Sequence, residues 1–216
     1  MRDKAGPGST AGAAATAAFG FRIKSGHAIV VVLAGSATEP TALARSVIEL
    51  SDPAVAETRQ PYHDRFFKQE NDPREIARRV RIVERCATRA IAAFVTGARR
   101  EIPETTVCRA GLVVGSVIDP ARVANPHIRA HASEGRLFRT VVEDALRAQG
   151  IESDVLVEKT LAATAIERLG RPDRDIKRSL AAFGQALGGP WRADEKAAAT
   201  AAWLALAERP RRVRSR

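Results

Sequence analysis

The chain has 216 residues, 45% of them hydrophobic and 28% charged, which suits one domain with a buried core and excludes a disordered composition. Two cysteines with no CxxC partner exclude a disulfide framework and fit a reducing cytoplasm, and the longest strongly apolar stretch, Ala28 to Ala34, is far short of the roughly 18 residues of a membrane span. The formal charge of +10 points toward polyanions, yet half of it comes from Arg209, Arg211, Arg212, Arg214 and Arg216 at the end of the chain.

Residues 1 to 17 are small and polar, offer almost nothing to bury and lack a Leu-rich core, so they read as a disordered lead rather than a secretory signal. Phe19, Phe21 and Ile23 then alternate with Gly20, Arg22 and Lys24, the pattern of a half-buried strand. Ser25 and Gly26 supply a turn into Ala28 to Leu33, a continuous β-branched run suited to a central strand, so the two form a hairpin. Residues 44 to 50 extend the meander by a third strand, bounded by Ser51, Asp52 and Pro53. A long loop over residues 53 to 71 carries Tyr62, Phe66 and Phe67.

Asp72, Pro73 and Glu75 mark a helix start, with an N-cap carboxylate, proline at the first helical position and glutamate three residues after the cap. Ile76, Val80, Val83, Ala87 and Phe94 continue the apolar face. Residues 106 to 117 form the fourth strand, whose Gly111 and Gly115 suggest a close approach by a neighbour. A second helix starts at Asn125 and Pro126 and ends at Gly150, residues 151 to 158 make the fifth strand, and helices follow over 160–169, 172–187 and 193–207. No internal repeat is visible, and the order βββαβα followed by β and helices implies an α/β fold: a mixed five-stranded sheet flanked by helices, one domain over residues 18–208 with a basic disordered tail over 209–216.

Several residues offer chemistry, each against a plainer reading. Lys24 and Ser25 at the first hairpin suit an anion, although the frame of a Walker A loop is absent and a solvated lysine is the simpler account. Gln60, Pro61, Tyr62 and His63 mix amide, aromatic and imidazole, fit to stack on a base and touch phosphate, or simply to pin the loop. His127, His131 and Glu134 share one helix face and carry donors for zinc or iron, but three ligands from one helix seldom converge, and a polar helix surface explains them as well. Glu134, Glu158, Asp194 and Glu195 make a candidate acidic cluster, as catalytic groups (Glu134, Glu158, Glu195) or metal ligands (Glu134, Asp194, Glu195); helix-start charges and surface ion pairs are the alternative. Trp191 beside Arg192 reads as packing the chain entry into the last helix, with stacking on a ligand the alternative, Cys86 and Cys108 read as buried and inert, and no Gly-x-Ser-x-Gly elbow occurs. Arg209, Arg211, Arg212 and Arg214 could strengthen nucleic-acid binding by counterion release, or keep the chain end soluble.

The element order is similar to the ribonuclease-H-like fold, and the run Gly188, Gly189, Pro190, Trp191, Arg192, Ala193, Asp194, Glu195, Lys196 and three alanines resembles the last helix of RuvC-type Holliday-junction resolvases. That resemblance implies phosphodiester cleavage by two divalent cations, Mg²⁺ among them, on carboxylates from the first strand, the fourth strand and the last helix. Here Arg22 and Lys24 stand on the first strand, the fourth has no carboxylate before Asp119, and only Asp194 and Glu195 follow the pattern. The leading expectation is therefore a cytoplasmic nucleic-acid-binding domain without standard two-metal cleavage, with no membrane partner. The alternatives are a protein-binding scaffold with a vestigial pocket, or a nuclease or phosphate-handling enzyme rebuilt around Lys24, His63, Glu134, Glu158 and Glu195. All three require the opening hairpin and the closing alanine-rich segment to lie side by side.

Overall fold

The computed structural model describes residues 15–103 and 105–208. Its five strands are β1 (Ala15–Lys24), β2 (His27–Gly35), β3 (Pro40–Glu49), β4 (Thr105–Val114) and β5 (Glu152–Val157). The helices are α1 (Pro73–Glu101), α2 (Pro126–Ala148), α3 (Leu161–Leu169), α4 (Asp173–Leu187) and α5 (Ala193–Ala207). The sheet order is β3-β2-β1-β4-β5, with β2 antiparallel to both neighbours and β1, β4 and β5 mutually parallel. This is the mixed five-stranded sheet that the element order implies, and β1 lies at its centre. β1 begins at Ala15, so residues 15–17, placed with the lead by composition, belong to the sheet; the rest of that lead and the arginine tail lie outside the described residues.

The sheet is covered on both sides. Phe19, Phe21, Val30 and Leu112 face α1 and α2, where Phe94 meets Phe19 edge-on at 5.0 Å. On the other face Ile29, Val31 and Leu33 pack against α4 and α5 with Phe183 and Trp203. The alternation in β1 therefore does not mark a solvent face: Gly20 is closely covered by α5, and Arg22 is only 5% exposed. α5 is buried nearly all round, as an alanine-rich helix must be to lie flat on a sheet. Gly20 and Gly111 let its backbone in, whereas Gly115 has nothing near it. Trp203 donates its indole N–H to the Ala37 carbonyl at 2.8 Å, and Trp191 lies against Gly184 of α4. Cys86 is half-buried rather than fully enclosed.

α1 starts where the capping signals place it. The Asp72 carboxylate accepts from the Arg74 backbone N–H at 2.8 Å, with Pro73 behind it. Asp72→Ala is expected to lower stability by about 1 kcal/mol without altering the fold, measured by urea unfolding at constant m. The long loop before it is not structureless. A short 3₁₀ turn over Ala56–Arg59 and a bridge between His63 and Gln69 divide it, making a small hairpin at residues 62–70. Arg79 of α1 ties that hairpin down, donating to the His63 carbonyl at 2.9 Å and to the Glu70 carboxylate at 3.0 Å. No helix among the described residues is long and apolar enough to cross a membrane.

Candidate functional site

The parallel strands end at one edge of the sheet, where open α/β folds place their clefts. β1 delivers Arg22 and Lys24 there, β4 ends at residues 113–114, and Glu158 follows β5. The first turn of α5 brings Asp194 to the same place. Arg22 joins the two acids, its Nη2 lying 2.5 Å from Glu158 Oε2 and its Nε 3.1 Å from Asp194 Oδ1, while Lys24 Nζ sits 3.4 Å from Asp194. A guanidinium thus occupies the space between acids from two elements. Its charge repels Mg²⁺, and its hydrogen bonds engage one oxygen of each acid. The opening hairpin and the last helix are side by side, as the resemblance requires.

Beside this ion-pair network lies a cleft of about 410 Å³ whose walls include Arg22, Lys24, Ser25 and His131. Ser25 is exposed and Lys24 half-buried, so the hairpin cation does reach open space. A second cleft, of about 630 Å³, runs between the small hairpin and the start of α2, past Phe67, Lys68, Asn125 and His127. The tip of the small hairpin is Arg65, Phe66, Phe67 and Lys68, all exposed; Phe66 and Phe67 are 65% and 67% exposed, and Arg65 stacks over the Phe66 ring at 4.8 Å. The Asp64 carboxylate shapes the tip by accepting from the backbone N–H groups of Phe66 and Lys68, and those bonds hold its own pKa below the usual carboxylate range.

Between the two clefts His63, His127 and His131 stand ring against ring, with centroid separations of 4.4 to 5.1 Å. Glu134, fully buried, lies behind them with Oε1 2.7 Å from His63 Nδ1 and Oε2 3.4 Å from His131 Nδ1. Burial pushes the Glu134 carboxyl up to about 7, against the opposing pull of His131 and the Tyr62 backbone N–H. Burial likewise lowers the pKa of His63, and His127 adds to that effect.

The candidate residues thus divide. Lys24, Ser25, Glu158 and Asp194 meet at the strand ends. His63 is 2% exposed and bound to Glu134, so it cannot receive an anion from solvent, contrary to the loop reading; Tyr62 is half-buried, and the exposed aromatics are Phe66 and Phe67. Glu134 is sequestered behind the histidines, away from Glu158 and Asp194 in its contacts. Glu195 does not join the acidic cluster either. Its Oε2 accepts from the Arg192 backbone N–H at 2.8 Å, capping α5, and its Oε1 faces Arg45 at 3.7 Å. The arginines at 209, 211, 212 and 214 lie outside the described residues. The grouping of His63 with His127 and His131 has no signal in spacing, because a loop residue more than sixty positions away completes the helical pair.

No family model matches the chain, and no curated protein matches it. Among solved structures it is similar to Thermus thermophilus RuvC, at TM-score 0.48 and 11% identity over 88% of this chain and 92% of that one. It is similar also to RuvC of the same organism in complex with a Holliday junction substrate, at TM-score 0.45 and 12% identity over 88% and 91% of the two chains. An Aquifex aeolicus member of the Ppx/GppA family follows at TM-score 0.33 and 9% identity, over 70% of this chain and 40% of that one.

Proposed function

We propose that this chain binds single-stranded nucleic acid with low sequence preference and does not cleave it by a two-metal mechanism. The observation that carries the reading is the hairpin tip, where two exposed phenyl rings stand between Arg65 and Lys68 beside a cleft. A phenyl face stacks on any base, and flanking cations neutralise the phosphates on either side, so the pair recognises a strand without reading its sequence. Lys24 and Ser25, lining the neighbouring cleft, extend the cationic track. Arg22 supports the part of the reading that concerns cleavage, because it holds Glu158 and Asp194 in ion pairs where carboxylates alone would have to gather around Mg²⁺.

The test is fluorescence anisotropy with a labelled oligothymidylate over a salt series of about 50 to 200 mM. Phe66→Ala with Phe67→Ala is expected to weaken binding at least about 30-fold at every salt concentration, since each of two stacked bases contributes about 1 to 3 kcal/mol, while leaving the salt slope unchanged. Lys24→Ala with Lys68→Ala should instead flatten that slope by about 1.4, at about 0.7 per phosphate contact on a single strand. Thermal melts of the variants separate lost contacts from lost folding. Affinity indifferent to both pairs, or carried entirely by residues 209–216, would overturn the reading.

A further inference from the structure

We propose that His63, His127 and His131 bind one divalent first-row transition-metal ion, with zinc the best fit, and that Glu134 is the carboxylate orienting two of the three rings. This site is argued from the geometry of its own rings and not from the nucleic-acid reading, although both use the small hairpin and α2.

The ring nitrogens facing away from the centre have oxygen atoms behind them. His127 Nδ1 lies 3.2 Å from the Phe67 carbonyl oxygen, which can only accept, so that nitrogen carries the proton and Nε2 carries the lone pair. His63 Nδ1 is hydrogen-bonded to Glu134 Oε1 at 2.7 Å, and Glu134 Oε2, which has no hydrogen-bond partner among the described residues, faces His131 Nδ1 at 3.4 Å. An oxygen atom thus stands behind each imidazole, hydrogen-bonded for His63 and His127 and facing His131, as in the outer shell of metal-ligating histidines. Phe67 is the only non-glycine residue with positive φ among the described residues, at 58°, and it is the residue whose carbonyl serves His127.

The inward nitrogens lack what they need. His127 Nε2 and His131 Nε2 are 3.2 Å apart, so two lone pairs confront each other unless a cation or an extra proton lies between them. His63 Nε2 is buried and has no hydrogen-bond partner among the described residues. The ligand atoms of the three rings lie within 4.8 Å of one another, while nitrogens on a tetrahedral zinc at about 2.0 to 2.1 Å would stand about 3.3 Å apart, so modest side-chain rotation closes the set. Three imidazoles select zinc or a neighbouring first-row ion over Mg²⁺ or Ca²⁺, which prefer oxygen donors. His63 is buried but His127 and His131 are exposed, so the protein supplies three ligands and the solvent side stays open for water or an anionic ligand.

The experiment is isothermal titration of the full chain, prepared without a histidine tag and stripped with chelator, with zinc chloride and separately with magnesium chloride. X-ray absorption of the zinc-loaded protein accompanies it. One zinc per chain, a nitrogen and oxygen first shell with about three imidazoles and no response to magnesium are expected. His127→Ala, an exposed change that leaves the fold intact, should weaken zinc at least about 100-fold, as should His63→Ala. Glu134→Gln should weaken it about 10- to 100-fold while keeping the stoichiometry, which a ligand loss would not. Circular dichroism of the stripped variants identifies any that misfold, and the exposed His127→Ala then decides. No zinc uptake, uptake indifferent to His127→Ala and His63→Ala, or equal affinity for magnesium would each overturn the proposal; the first is what a proton held between the rings in place of a metal would give.

Discussion

Gly20→Ala is expected to destabilise the fold by about 3 kcal/mol or more, lowering the melting temperature by about 6 to 12 °C in a chain of this size. A Cβ at Gly20 would stand 1.8 Å from the Ala198 carbonyl oxygen and 2.4 Å from the Ala202 nitrogen, both backbone atoms of α5. No side chain can rotate to relieve that overlap, so the helix must lift from the sheet. Lifting it disturbs Trp203, Ala198 and Ala202, which are buried against β2 and α4. Gly111 on the adjacent strand meets Ala201 in the same way, with a Cβ contact of 2.5 Å to its carbonyl oxygen, so Gly111→Ala should behave alike. Gly97 is the control. It lies in α1 with nothing within 4 Å of a Cβ, and alanine there should stabilise by about 0.4 to 1 kcal/mol. Calorimetry of the three variants checks the contrast, and a Gly20→Ala protein melting with the wild type would mean that α5 does not sit on β1 as described.

The same glycines show how far the sequence could be read. Each strand and helix announces itself through local chemistry: β-branched runs for β2, capping residues for α1 and α2, apolar periodicity for α4. The sheet order follows from those elements and the need for crossovers. What covers β1 does not follow. Gly20 and Arg22 look like the solvent side of an alternating strand, because period two reports which residues share a face and not what lies over it. Glycine there is a docking surface for helix backbone, and arginine is buried because two acids from distant elements come to it. The four acids divide for a related reason. Glu195 sits at the third position of a helix, where capping claims it, and Glu134 sits one turn beyond His131, where the buried imidazole of His63 claims it. Only tertiary contact assigns each acid its partner.

Arg22→Asp should produce the other large effect, a loss of about 3 kcal/mol in chelator that millimolar Mg²⁺ or Mn²⁺ partly restores. Arg22 is 5% exposed and pairs with Glu158 and Asp194, so reversing its sign removes the cation and crowds three carboxylates together at the end of β1. Breaking a buried pair costs about 3 to 5 kcal/mol; the lower figure applies because Glu158 and Asp194 are themselves 47% and 34% exposed and partly screened by water. Three converging acids are oxygen ligands for a hard divalent cation, so each tenfold rise in Mg²⁺ above its dissociation constant should return about 1.4 kcal/mol. Lys24, 3.4 Å from Asp194, still opposes the metal, and adding Lys24→Ala should steepen the recovery. Wild-type melting should be indifferent to Mg²⁺ at this cluster, because Arg22 already supplies the positive charge. A variant as stable as the wild type in chelator, or one that Mg²⁺ fails to restore, would show that the guanidinium is not standing in for a metal between those two acids.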